Sequence, residues 1–87
     1  MEDDYRILDV RYEEEYEEEH IPDTTLIPLP ELRARLHELD KHQKYIAVCL
    51  SGKRSAVAAI LLKQHDFEVL ALREGLRDWP GEMVSAY

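Results

Sequence analysis

A single cysteine, Cys49, stands in a chain of 87 residues. It has no partner for an internal disulfide and no second thiol for a dithiol redox cycle, which excludes thioredoxin-like chemistry. Basic residues are few: 11 Lys and Arg against 19 Asp and Glu leave a net charge of −8. That balance offers no basic stripe for a phosphate backbone, so nucleic acid is not an expected partner. No apolar run approaches the roughly 20 residues of a membrane span, and Met1-Glu2-Asp3-Asp4 is acidic where a secretion signal would be basic. A cytoplasmic protein without membrane contact is the expectation. The histidines, His20, His37, His42 and His65, show neither i, i+4 spacing nor a Cys-x-x-Cys companion, so neither a metal site nor a cofactor is expected. The length suits one small core, and hence a single domain over 1–87.

What the chain does contain is alternation. Tyr5 to Val10 reads as a strand, followed by an acidic helical stretch from about Tyr12 to Glu18 that Pro22 ends. Glu13, Glu14, Glu15, Glu17, Glu18 and Glu19 surround Tyr16; they read first as a solvated helix face and second as a docking surface for a basic partner. Leu26-Ile27 is extended before Pro28. From Pro30, Leu32, Leu36 and Leu39 fall on one helical face. Asp40 to Lys44 is polar loop, and Tyr45 to Val48 an apolar strand that ends in Cys49. Arg54 to Gln64 predicts a helix apolar nearly all round and therefore buried on several sides. Phe67 to Leu72 reads as a further strand, and Gly75 to Trp79 as a short helix or turn stopped by Pro80. The order implies a mostly parallel sheet of four to five strands with helices on both faces, an α/β three-layer fold.

Cys49 is placed at a strand's carboxyl end, before a helix N-terminus, where open α/β sheets bind ligands. Unpartnered N–H groups of residues 50–55, the helix dipole, and the cations Lys53 and Arg54 all favour an anion there, which makes Cys49 a candidate nucleophile with a lowered pKa.

The segment Cys49-Leu50-Ser51-Gly52-Lys53-Arg54-Ser55 resembles the active loop of the rhodanese-like domains, Cys-x-x-Gly-x-Arg-Ser. Ile7 to Arg11 with Glu15-Tyr16 and His20-Ile21-Pro22, Ile27-Pro28-Leu29 with Glu31-Leu32, and Leu72 through Gly75 to Trp79 resemble the other signatures of the same family, in order. The resemblance implies a sulfurtransferase in which Cys49 takes sulfane sulfur from a small anionic donor such as thiosulfate, holds it as a persulfide and passes it to a thiophilic acceptor. Leu50, Ser51, Gly52, Lys53, Arg54 and Ser55 would then bind substrate: the backbone N–H groups around the terminal sulfur, Arg54 through its planar fork on an oxyanion, with Ser55 capping the helix. Asp9, Arg11 and His20 read as structural support, and Trp79 as a packing anchor. The rival enzyme reading, a phosphatase of related fold, needs a loop one residue longer, since Arg54 is the fifth residue after Cys49 and Ser55 the sixth. A reading from another class is a non-catalytic, sulfur-carrier or regulatory module acting with a protein partner.

Three positions depart from the family pattern: Asp23, Asp66 and Glu74 stand where glycine is common. Asp accepts left-handed backbone more readily than most residues. Glu74, if close to the Cys49 loop, would oppose anionic donors and raise the thiol pKa. The chain also opens close to the Asp9 strand, where family domains commonly begin one strand and helix earlier. It is either a minimal form or a piece excised from a longer protein, and a bare sheet edge would invite a homodimer.

Overall fold

The computed structural model describes residues 4–85. Four strands form one sheet in the order β2-β1-β3-β4. They are β1 (Tyr5–Asp9), β2 (Thr25–Leu26), β3 (Lys44–Val48) and β4 (Glu68–Ala71), and every pair is parallel. Tyr5 lies opposite Lys44 and Asp9 opposite Val48, while Ala47 lies opposite Ala71. Parallel neighbours end together, so the segments following Asp9, Val48 and Ala71 converge at one edge of the sheet. The ladder runs one step further there, with Val10 N donating to Val48 O at 3.1 Å and Leu72 N to Ala47 O at 2.9 Å.

Alternation along the strands divides the core. Leu8, Val10, Tyr45, Ala47, Cys49 and Val69 face the larger cluster with Ile27, Leu32, Ala58, Ala59 and Leu62. Ile7, Ile46 and Val48 face the opposite side and pack with Ile21, Leu76, Trp79 and Met83. The larger side is covered by α2 (Leu29–Leu32), the 3-10 segment Arg33–Glu38, and α3 (Lys53–Gln64). The other side carries Ile21 from the segment after α1 and the 3-10 turn Leu76–Asp78 with its flanking chain, and Leu70 is left half-exposed.

Two expectations are corrected. The leucine spacing after Pro30 predicts one continuous helix, but the α-helical turn ends at Leu32 and continues as tighter 3-10 turns broken at Arg35, whose φ is −116°. Arg35 bonds both Glu31 and Glu38 in that bent form, and Leu32 and Leu39 still reach the core. In α3, burial on several sides is not found: Val57 and Ile60 are 54% and 59% exposed. Its small residues Ser55, Ala58 and Ala59 lie against the sheet on one face only.

The acidic stretch forms α1 (Glu13–Glu18), six residues with no buried side chain. Asp23 and Asp66 have φ of 61° and 68°, so both take the left-handed turn geometry that suits glycine.

Candidate active site

The chain leaves β3 at Val48, and the turn at Gly52 sends it directly into α3. Gly52 has φ +92° and sits so near the Arg73 carbonyl that a Cβ would collide with it. This tight curl turns backbone N–H groups back onto the sulfur. Gly52 N donates to Cys49 Sγ at 3.1 Å and Ser55 N at 3.3 Å. The thiol S–H reaches Ser55 Oγ at 3.6 Å, and that hydroxyl donates onward to Gly52 O at 3.1 Å.

The electrostatic balance at Cys49 follows from these contacts. Burial pushes the thiol up, but hydrogen bonds from the Ser55 side chain and from the N–H groups of Ser55, Gly52 and Ser51 together outweigh it, and the net shift is downward. Because Ser55 passes its only hydroxyl hydrogen to Gly52 in the neutral form, ionisation of the thiol must turn that hydrogen toward sulfur. The lowered pKa therefore comes from dipoles at the helix start rather than from a cation in contact.

Cys49 has no accessible surface. The sulfur is enclosed at the strand end, while the next residue, Leu50, is 40% exposed. Ser55 differs from expectation. It is the third residue of α3, makes no side-chain cap, and uses its hydroxyl on Cys49 and Gly52.

Lys53 is exposed at the first position of α3. Arg54 is not a free fork: its two terminal nitrogens bind Glu15 Oε1 and Oε2 at 2.8 and 2.9 Å, with the Tyr12 ring 5.7 Å away. Glu15 responds with a pKa lowered to about 2, chiefly through that hydrogen bond. From the sequence, Glu15 is one member of a solvated acidic face, set apart only by its place in the first family signature.

The support residues are tightly bound. Asp9 and Arg11 are 1% and 5% exposed. Asp9 accepts from Arg11 backbone N at 3.0 Å and from its guanidinium at 2.8 to 3.1 Å, while Arg11 also donates to Glu19 O at 2.8 Å. His20 stacks on Tyr16 with ring centroids 3.8 Å apart, shares a 2.6 Å hydrogen bond from Nδ1 with Tyr16 O, and bridges to Val84 through backbone bonds. Glu74 is exposed, on a segment that does meet the loop: Leu76 N donates to Cys49 O at 2.8 Å, Arg77 N donates to Leu50 O at 3.1 Å, and Gly75 lies against the Leu50 carbonyl.

Among the described residues no group of His, Cys, Asp and Glu could hold a metal, and no helix is long and apolar enough to cross a membrane.

The sequence profile of the rhodanese-like domain matches residues 1–82. A Bacillus subtilis protein named as a candidate sulfur carrier, YrkF, is 44% identical over 77 residues, covering 87% of this chain and 42% of its own length. The thiosulfate sulfurtransferase GlpE of Coxiella burnetii is 34% identical over 77 residues, covering 87% of this chain and 72% of its own. The crystal structure of a rhodanese-related protein from Thermoplasma volcanium superposes with a TM-score of 0.88 at 31% identity, covering 92% of this chain and 83% of that one. The chain thus spans less than half the length of the Bacillus relative.

Proposed function

This chain belongs to the rhodanese-like domain family, and from that premise we propose that it is a sulfurtransferase carrying sulfane sulfur on Cys49. The observation that bears most weight is the convergence of Gly52 N and Ser55 N on Sγ. Groups that stabilise a thiolate there suit the terminal sulfur of a persulfide equally, as an oxyanion hole suits oxygen.

With thiosulfate as donor, the Cys49 thiolate attacks the outer sulfur. A new S–S bond forms at Cys49, the donor's S–S bond breaks, and its electron pair leaves with sulfite. A nucleophilic acceptor such as cyanide or a thiolate then attacks the terminal sulfur, and the Cys49 thiolate is restored. No external oxidant or reductant is needed. Since Cys49 is enclosed, donor entry requires local opening around the sulfur. Lys53 attracts the anion, and Arg54 binds it only by exchanging Glu15 for the donor oxyanion.

A second reading is supported by the enclosed sulfur and by the likeness to a candidate sulfur carrier: the domain stores sulfur and delivers it to a protein partner, with little turnover on small molecules. Incubation with thiosulfate followed by intact-mass measurement, and thiocyanate production with cyanide, separates the two. A gain of one sulfur that disappears in Cys49→Ser supports both; rapid thiocyanate release supports the enzyme. No sulfur gain from thiosulfate or any persulfide donor overturns the proposal.

A further inference from the structure

Beside the Cys49 loop lies a cleft of about 430 Å³ whose wall includes Leu50, the residue after the cysteine. Leu76, Trp79 and Met83 continue that wall as an apolar surface, and Glu18 at the end of α1 and Glu19 just after it face them. We propose that this cleft is the docking site of the sulfur acceptor, and that the acceptor is a protein segment bearing a cysteine flanked by basic and apolar side chains. The inference rests on Cys49 carrying sulfur and goes further by naming the acceptor's chemistry.

The charges in the cleft decide the class. Arg11 and Glu15 border it but are already paired, with Asp9 and Arg54. The carboxylates of Glu18 and Glu19 make no ion pair among the described residues, and Arg77 is the lone cation opposing them. A visiting group therefore meets a net negative wall, and the −8 of the whole chain extends that field into solvent. Small anions such as cyanide or thiosulfate are disfavoured there, and a lysine or arginine side chain is favoured.

Size and surface point to a polypeptide. A cleft in the range of about 300–1,000 Å³ suits a ligand much larger than sulfite, and the apolar wall gives an aliphatic side chain a place to bury. The cleft is also coupled mechanically to the sulfur site. Leu76 N and Arg77 N bond the carbonyls of Cys49 and Leu50, so displacement of Leu50 to uncover the sulfur is felt in the cleft wall.

Trp79 is the chain's sole tryptophan, which makes its fluorescence a direct reporter. The test titrates Cys49→Ser protein with two blocked peptides, Lys-Ser-Leu-Lys and Glu-Ser-Leu-Glu, at low salt. The basic peptide is expected to change Trp79 emission saturably with at least about tenfold tighter binding than the acidic one, and Glu18→Lys with Glu19→Lys should reverse the order. Emission insensitive to both peptides, equal affinities, or a preference untouched by the charge reversal would overturn the docking assignment. Persulfide-loaded wild-type protein and the cysteine-bearing versions of the peptides give the chemical arm, in which the basic peptide accepts sulfur faster. Selective binding without any sulfur loading keeps the docking surface and removes the sulfur-transfer reading; loading without selective binding does the reverse.

Discussion

Both carboxylate oxygens of Glu15 hold the guanidinium of Arg54, at 2.8 and 2.9 Å, across 39 positions of sequence. The pair ties α1 to the first turn of α3 and presets the cation beside the Cys49 loop. It also means that a donor oxyanion and Glu15 compete for one fork.

Glu15→Gln should therefore favour anionic donors. A partly exposed ion pair is worth about 1 kcal/mol or less, so the KM for thiosulfate is expected to fall about fivefold with kcat little changed. Arg54→Ala should raise that KM more than Lys53→Ala does. Steady-state kinetics on the three variants checks this, and an unaltered KM in Glu15→Gln, or equal effects of the two cation deletions, contradicts the assignment.

The same pair sets an acid limit on stability. Arg54 holds the Glu15 pKa at about 2 in the folded protein, against about 4.3 for an ordinary glutamate. The folded state binds that proton less readily than the unfolded chain, so the contribution is complete above the ordinary value and is lost as pH falls through about 2. Melting temperatures of the wild type should decline over that window more steeply than those of Glu15→Gln. Parallel curves would show that Glu15 titrates normally.

Asp9 and Arg11 hold each other almost without solvent. Removing one partner leaves a buried charge uncompensated, so Arg11→Ala should lose about 3–5 kcal/mol in urea unfolding. Replacing both, by Asp9→Leu with Arg11→Met, should cost far less than the two single losses added. Additive losses would show that the two side chains act independently.

Much of this molecule was legible from local pattern. The strands ending at Asp9 and Val48 and the helix after Gly52 follow from apolar runs, one proline-bounded spacing and a loop between strand and helix, and the same loop makes Cys49 the candidate nucleophile. Most of what escaped depends on residues distant in sequence. Nothing near Glu15 distinguishes it from its acidic neighbours, because its partner lies on α3. The exposure of Val57 and Ile60 depends on how few elements cover the outer side of α3. The closed state of Cys49 arises from the 72–77 segment, whose backbone braces the Cys49 and Leu50 carbonyls. The break at Arg35 reflects a choice between similar helical forms, settled by paired bonds to Glu31 and Glu38.

Gly52 is the residue that aims the loop inward. Gly52→Ala must place a Cβ in left-handed backbone, at about 1–2 kcal/mol, and against the Arg73 carbonyl. Thermal unfolding should show that loss, and sulfur loading should fall even at temperatures where the variant is fully folded. Loading at the wild-type rate would mean that the N–H cradle is dispensable.

Main-chain N–H groups and Ser55 lower the pKa of the Cys49 thiol against the opposing effect of burial. The most direct measurement follows thiolate absorbance of the chain's single thiol against pH, with Cys49→Ser as blank and Ser55→Ala for comparison. The expected wild-type midpoint lies below the ordinary value of about 8.5, with a higher midpoint in Ser55→Ala. A wild-type midpoint at or above the ordinary value would contradict that lowering.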